Sequence, residues 1–486
     1  MKILFKGHDF KYECEATVKL FITGRFEFLY DSIDSEGDIV CSQIKKGKEY
    51  TYLFAFCRLG EKAARKAYRL KNEDVDKNTC EHELCRLIFL CLKKLTNITP
   101  SWGLLTGIRP VKKMTELIRA GLDKNACFDS LKSKYMVSDS RLELAYMTAE
   151  NQLPLLDGID PKSISVYVSI PFCPTRCSYC SFVSHSLDSA VKLMPDYVRA
   201  LCREIEIIGR IIDDLNLSVD TVYFGGGTPT SICAAQLDII MKTLADSIDL
   251  SKVREYDVEA GRADTITEDK LKVIKKNGVT RISVNPQTLN NDVLKVIGRK
   301  HTAEDTINAF KMARSLGFDN INMDLIAGLP TDTYDSFCDT LDRVMTLDPE
   351  SITVHTLTIK RSASLYSDPS EAYKSNAAPR MLDRSIELLP NGGWLPYYLY
   401  RQKNTIENLE NTGYAKKGFE SLYNIFIMDE TQVILGAGCA ASTKLIDSKG
   451  KITRVHNYKF PYEYINRFDE LMKKKRQITE ILGEKA

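Results

Sequence analysis

The stretch PFCPTRCSYCSF, residues 171–182, sets Cys173, Cys177 and Cys180 in a C-x-x-x-C-x-x-C spacing with no fourth cysteine beside them. Three thiolates from one loop suit a cubane 4Fe-4S cluster, because thiolates hold iron well and an iron without a protein ligand stays open to another molecule. A structural zinc is the second reading. It needs a closed set of four ligands, and His185 is the nearby side chain that could complete one. Two more stretches carry chemistry. Gly225, Gly226 and Gly227 lie in TVYFGGGTPT, where missing side chains let the backbone approach a ligand closely. Glu259 lies near the end of the run EYDVEA, and a carboxylate there can accept hydrogen bonds from an amine or from ribose hydroxyls.

These residues sit at the ends of short apolar, β-branched runs. Six such runs occur at 164–170, 221–226, 255–260, 281–286, 320–328 and 351–357. Amphipathic stretches such as YVRALCREIEIIGRIIDDL and AEDTINAFKMARSLG separate them, the latter closed by a glycine. Six strand–helix units predict an α/β fold, a partial parallel (β/α)6 barrel over residues 160–360, two units short of a full (β/α)8 barrel. Barrel sites are built at the C-terminal ends of the strands, where these unusual residues collect.

Residues 1–150 read as a separate N-terminal α+β domain of unknown role, with strand-like ECEATVKLFI, RFEFLYDSI and YTYLFAFC before helices begin near residue 60. Pro110 fits a first helical turn there and Gly121 a stop. Residues 361–486 form a C-terminal extension containing an aromatic and basic stretch, the segment ILGAGCAAS and a final helix, YEYINRFDELMKKKRQI. The lysines of that helix read as a solvated face.

The chain has 486 residues, 67 Lys and Arg against 65 Asp and Glu, and 44% apolar residues. That is two or three domains' worth of chain without the positive excess of a dedicated nucleic-acid binder, so no nucleic-acid partner is expected. The start, MKILFKGHDF, does not read as a secretory signal, and LCRLIFLCLKKL is too short and charged to span a bilayer. A cytoplasmic location is expected, in which most of the 14 cysteines are buried small hydrophobes or metal ligands.

The cysteine motif directly after a first barrel strand resembles the radical S-adenosylmethionine (SAM) superfamily, and Tyr179 fits the aromatic position before the last cysteine. YVSIPFC, YFGGGTPT, VEAGRADTIT, NPQTLNNDVLKVIGRKHT and NMDLIAGLPTDT are similar to the oxygen-independent coproporphyrinogen III oxidase-like family. LLTGIRPVK, VHTLTIKRSA and YYLYRQKN are most similar to its coproporphyrinogen dehydrogenase branch, so the resemblance covers nearly the whole chain. It implies a 4Fe-4S cluster on Cys173, Cys177 and Cys180, and one SAM or two. Gly226, Gly227, Thr228 and Glu259 match SAM contacts, as does Tyr167 on the first strand. Gln287, Arg299 and Asp324 match positions that hold a second SAM; an internal Asp324–Arg299 ion pair is the alternative.

The family reaction is the oxidative decarboxylation of coproporphyrinogen III propionates to vinyl groups, fed by an electron donor such as flavodoxin or ferredoxin. A tetrapyrrole with four carboxylates calls for basic groups at the barrel mouth, for which Lys360, Arg361, Arg401 and Lys403 are the candidates, with the three tyrosines of YYLYRQKN to pack the macrocycle. Two departures bear on this. Many family oxidases carry a further cysteine where this chain has Phe182. Haem chaperones of the family lack that cysteine too, but show H-N-x-x-Y-W where this chain has Tyr423, Asn424, Ile425, Phe426, Ile427 and Met428. Thr358 stands where the family usually has alanine near SAM. A haem-trafficking protein and an RNA-modifying radical SAM enzyme are therefore the alternative functions, the second lacking a recognisable RNA-binding motif.

Overall fold

The computed structural model describes residues 1–22, 24–31, 36–107, 109–181, 185–360, 363, 365, 377–402 and 405–483. The chain divides into two compact units. One comprises Met1–Pro110, Glu116–Glu143 and Glu407–Leu409; the other comprises Val111–Thr115, Leu144–Ile406 and Glu410–Ala486.

The N-terminal unit is built on a sheet of β1 (Lys2–Lys6), β2 (Glu27–Tyr30), β3 (Ile39–Lys46), β4 (Tyr50–Leu59) and β5 (Lys62–Lys71), in the order β2-β1-β3-β4-β5. β1 runs parallel to β2 and β3, while β3, β4 and β5 form antiparallel hairpins. Strict alternation in β4 buries Leu53, Ala55 and Cys57 on one face, against Leu84, Ile88 and Cys91 of the helix Lys77–Thr96. Asp76 caps that helix, its carboxylate accepting from the backbone N–H groups of Asn78 and Thr79. Two expectations are corrected. ECEATVKLFI is mostly helix, Lys11–Val18, because Phe10, Cys14 and Val18 recur every fourth residue and pack as one helical face. Residues 62–71 are a strand, not a helix; as the edge of the sheet this strand is exposed almost throughout, which hides its alternation.

The second unit contains the expected parallel strands: β6 (Ser163–Ile170), β9 (Ser218–Gly226), β10 (Glu255–Gly261), β11 (Arg281–Val284), β12 (Ile321–Ala327) and β13 (Ser351–Thr356). A short parallel pair, β7 (Phe172–Cys173) with β8 (His185–Ser186), brackets the cysteine loop. β14 (Leu395–Arg401), β15 (Glu410–Ala415), β16 (Val433–Ala437), β17 (Ser442–Ile446) and β18 (Ile452–His456) complete an eleven-stranded sheet ordered β14-β15-β13-β12-β11-β10-β9-β6-β16-β17-β18. The six strands of the partial (β/α)6 barrel are thus flanked by C-terminal strands. On one side β16, from the glycine-rich ILGAGCAAS, adds a parallel strand beside β6; on the other, β15 pairs antiparallel with β13. β6 and β9 are buried on both faces, so that even Ser165 and Ser169 of β6 and Thr221 of β9 are buried.

The final helix, Phe468–Gly483, presents one lysine inward. Lys475 is 1% exposed and pairs with fully buried Glu204 at 2.8 Å, so the solvated-face expectation fails at that residue. Its position between Leu471 and Ile478, four and three residues away, puts it on the apolar face.

Candidate functional site

The strand ends converge on one cavity of about 320 Å³. Cys173, Cys177 and Cys180 all line it, and none is in a disulfide. The loop that carries them is latched to the end of β9: the N–H of Gly227 donates to the carbonyl of Ile170 at 2.8 Å, and that of Thr228 to the carbonyl of Phe172 at 2.8 Å. Only glycine fits at 227, since a Cβ there would stand 2.6 Å from the Phe172 carbonyl oxygen. Gly226 holds φ at +110°, open to glycine alone. On its other side the loop docks through Ser178 N–H on the Ile297 carbonyl and Thr175 Oγ1 on the Gly298 carbonyl, at 3.0 and 3.1 Å.

Two guanidinium groups back the thiols. Arg262, 4% exposed, is held by both oxygens of Asp264, donates to the Thr175 carbonyl at 2.9 Å and approaches Cys177 Sγ at 3.8 Å. Arg299 donates to the Asn285 carbonyl at 2.7 Å and to Tyr179 Oη at 3.2 Å. Burial would lower its pKa, but Tyr179 and Cys177 outweigh that and hold the proton more firmly. Cys173 Sγ lies 3.4 Å from Thr228 Oγ1. Among the described residues no three His, Cys, Asp or Glu side chains converge on a single metal ion. His185, the fourth ligand a closed zinc site would need, does not line the cavity and packs edge-on against Phe460. Three thiols from one loop, facing one cavity beside two cations, fit a 4Fe-4S cluster, in which each thiolate binds its own iron.

Deeper in the cavity the polar groups come from successive strand ends. Glu259, at the end of β10, accepts a hydrogen bond from Tyr223 Oη. Burial pushes its carboxyl up to about 7, opposed by the Tyr223 bond and reinforced by Asp324. Asp324, on β12, accepts from Asn322 Nδ2 at 2.7 Å and lies 3.7 Å from His355 Nε2. Burial raises its pKa, but the His355 interactions prevail and hold it below the ordinary carboxylate range. Gln287 lines the same cavity in a left-handed conformation, φ +66°, fixed by backbone bonds with Asp324 and Ile326. The suggested Arg299–Asp324 ion pair does not form; Arg299 is committed to Tyr179 and Asn285, Asp324 to Asn322 and His355.

Of the other expected residues, Tyr179, Gly226, Gly227, Thr228 and Lys360 line the cavity. Tyr167 does not. It reaches the site only through a ring stack, 6.1 Å from Tyr223 and 6.3 Å from Tyr423. Arg401 is also outside the cavity, contrary to its proposed role: alternation along β14 points Tyr398 and Tyr400 inward, so Arg401 faces away and is buried opposite Glu410. Burial lowers its pKa to about 10, with Glu410 opposing. Arg361, Lys403 and Phe182 lie outside the described residues. Residues not anticipated are Arg262, Asn285, His355 and Tyr223; of the three YYLYRQKN tyrosines expected to pack a macrocycle, Tyr398 and Tyr400 line the cavity, and Thr358, set aside on sequence, also lines it. The available signal was position, since Arg262 and Asn285 follow strand ends.

A parallel partial barrel with three thiols at the C-terminal strand ends is the architecture of a radical SAM protein, and the family model for the radical SAM superfamily matches residues 167–344. Over 417 residues the chain is 40% identical to the oxygen-independent coproporphyrinogen-III oxidase-like protein HemZ of Bacillus subtilis, covering 84% of this chain and 82% of that one. It is 33% identical over 282 residues to the haem chaperone HemW of the same species, covering 56% of this chain and 69% of that protein. Among solved structures, the coproporphyrinogen III oxidase HemN of Escherichia coli, a radical SAM enzyme, aligns with TM-score 0.49 at 24% identity over 66% of this chain and 73% of that one. The chain belongs to the oxygen-independent coproporphyrinogen-III oxidase-like family of the radical SAM superfamily.

Proposed function

We propose that this chain is a radical SAM enzyme that oxidatively decarboxylates propionate side chains of coproporphyrinogen III, or of a closely related tetrapyrrole, to vinyl groups. The observation that carries this reading is that the three cysteines of one loop, the glycine turn at 226–227 and Glu259 all face one cavity, which continues to Tyr398, Tyr400 and Lys360. When bound, the 4Fe-4S cluster and SAM supply a 5'-deoxyadenosyl radical able to remove a hydrogen atom from a propionate carbon. The protein's part is to hold, orient and keep water away. Cys173, Cys177 and Cys180 hold the cluster, and Arg262 and Arg299 offset the thiolate charge. Gly226, Gly227 and Thr228 offer backbone edges to the methionine portion of SAM, while Glu259 accepts from its amine or ribose hydroxyls. Gln287, Asp324 and Arg299 serve a SAM molecule farther in. A cavity of about 320 Å³ lies within the range of small-molecule and cofactor sites. The macrocycle then rests at the mouth, against Tyr398 and Tyr400, with Lys360 toward a carboxylate.

The haem-chaperone reading asks for a ligand where that group has histidine. Tyr423 stands there, 5% exposed, its ring stacked 4.3 Å from that of Tyr223, which supports the enzyme instead. An electron donor such as flavodoxin or ferredoxin would supply the electron that cleaves SAM, and a separate one-electron acceptor would take the electron released with carbon dioxide; the chain's 14 thiols fit the reducing cytoplasm.

The test is anaerobic. Protein reconstituted with iron and sulfide is given a reductant, SAM and coproporphyrinogen III, and the products are followed by mass spectrometry. Loss of carboxyl groups together with 5'-deoxyadenosine is expected, and Cys177→Ala abolishes both along with iron uptake. 5'-Deoxyadenosine without tetrapyrrole decarboxylation would refute the substrate, and stoichiometric haem uptake by the wild type would favour the chaperone.

A further inference from the structure

The N-terminal sheet has one face packed under helices, and its other face is open along β4 and β5. On the open face β4 presents Tyr52, Phe54 and Phe56, each 38% exposed. The sheet does not use these rings for its core, which takes the alternate residues Leu53, Ala55 and Cys57. The rings of Tyr52 and Phe54 stand nearly parallel, 16° apart in plane and 6.4 Å between centroids. That spacing is close to twice the ~3.4 Å repeat of stacked bases.

Register sets cations along both sides of this row. Lys45 of β3 and Arg69 of β5 are directly opposite Tyr52, and Arg65 of β5 is opposite Phe56. Ala67, opposite Phe54, leaves that ring uncovered on the β5 side. The Arg69 guanidinium lies over the Tyr50 ring at 5.0 Å. No Asp or Glu occurs at the positions of this face on the three strands, 41, 43 and 45, 50 to 58 alternately, and 63 to 71 alternately. Cations on an edge strand are a common guard against pairing with another chain. Guarding an edge does not call for three partly exposed aromatic rings in a row on the neighbouring strand.

We propose that this face binds single-stranded nucleic acid, its bases stacking on Tyr52, Phe54 and Phe56 and its phosphates meeting Lys45, Arg65 and Arg69. Exposed aromatic rings on a sheet bordered by basic side chains are the chemistry such strands require: every base has a face to stack, and the backbone carries one charge per nucleotide. The whole-chain balance of 67 basic against 65 acidic residues conceals the surface, because β3, β4 and β5 carry no acid on this face. The inference stands on the N-terminal unit alone and does not depend on the barrel chemistry.

Fluorescence anisotropy tests it, using the full-length chain and a fluorescein-labelled oligouridylate of about 12 nucleotides, within the range such surfaces cover. Saturable binding at low salt is expected. Its logarithm should fall against the logarithm of salt with a slope of about −2, as expected for three phosphates neutralised on a single strand. Phe54→Ala and Phe56→Ala each weaken binding at least about fivefold, while Phe54→Trp retains it. Arg65→Glu with Arg69→Glu flattens the salt slope. Circular dichroism checks that each variant is folded, and these exposed positions leave the core intact. A DNA strand of equivalent sequence identifies the sugar: tighter RNA binding assigns a 2′-hydroxyl contact, and equal binding assigns bases and phosphates alone. Absence of saturable binding at low salt overturns the proposal. So does binding unchanged by both alanine variants, and so does displacement by polyglutamate as effective as by unlabelled oligonucleotide, which would make the face a dock for an acidic protein.

Discussion

Glu259→Gln should make the protein more stable and less able to hold SAM. The Glu259 carboxyl is pushed from 4.5 up to about 7, chiefly by burial, with Asp324 adding to it and Tyr223 and His355 opposing. Below about pH 4.5 the group is protonated in both folded and unfolded chains and costs nothing. Between there and about pH 7 the folded protein keeps a proton that the unfolded chain has released, so the cost grows with pH. Above about pH 7 it is constant, and a shift of this size corresponds to about 3 kcal/mol. Residual contact with water in the cavity screens part of it, which leaves a measurable gain of about 1–3 kcal/mol for the neutral amide. Glutamine is nearly isosteric, and its carbonyl can still accept from Tyr223 Oη. Denaturant titration of the cluster-free protein and variant at about pH 8 and about pH 5 measures the effect: the variant leads at the higher pH, and the gap closes toward the lower. SAM affinity moves the other way. The variant loses about 10- to 100-fold, the value of a hydrogen bond to a charged acceptor, and wild-type affinity declines below about pH 7 while that of the variant stays flat. A variant less stable than wild type at the higher pH, or a stability gap independent of pH, would refute the assignment of Glu259 as a strained acceptor.

Two further substitutions probe the scaffold. Arg281 and Asp257 pair at 3.2 Å with side chains 2% exposed each, and Arg281 also serves Asn320, Phe419 and Ser351. Arg281→Leu strands a buried carboxylate and should cost about 3–5 kcal/mol in denaturant titration. Gly227→Ala places a methyl 2.6 Å from the Phe172 carbonyl oxygen and 2.9 Å from its nitrogen. It should cost about 1–3 kcal/mol through overpacking, and iron and sulfide analysis after reconstitution should show a lower cluster content, because the displaced segment carries Cys173.

The parallel strands were legible because each is a short apolar run ended by turn residues, and both faces of the sheet are buried. The cysteine motif was legible for a different reason: its residues are local, so their spacing and their place after a strand point to a cluster. Helix and strand were confused where one pattern imitated the other. Lys11–Val18 carries apolar residues dense enough to suggest a strand, and only the fourfold recurrence of Phe10, Cys14 and Val18 distinguishes it. β5 shows no alternation of hydrophobicity because neither of its faces is well buried. Lys475 could not be separated from its neighbours in a lysine run, since its partner Glu204 is 271 positions earlier in the chain and meets it only through packing.

The substrate end of the site was harder to read than the cofactor end, and the reason is parity. Cofactor contacts sit at the ends of parallel strands, where an unusual residue is exposed to the cavity whichever way its neighbours point. Candidates along β14 depend on which of two faces each residue takes, and YYLYRQK offers both faces polar or aromatic groups. Tyr398, Tyr400 and Gln402 fall on the cavity side and Arg401 on the other, buried against Glu410, while Tyr397, at the irregularity of the strand, keeps its ring 4.9 Å from that of Tyr398. A one-residue change of register between β14 and β15 would exchange the two sets. The pairing of Pro396 with Tyr414 and of Tyr398 with Gly413, with its irregularity at Tyr397, is what turns the tyrosines toward the cavity. A Cβ at Gly413 would lie within 2.4 Å of the Tyr398 ring carbon Cδ1, so the absence of a side chain there is what lets the ring lie across β15. Gly413 therefore belongs to the proposed substrate end of the site as much as the tyrosine it accommodates.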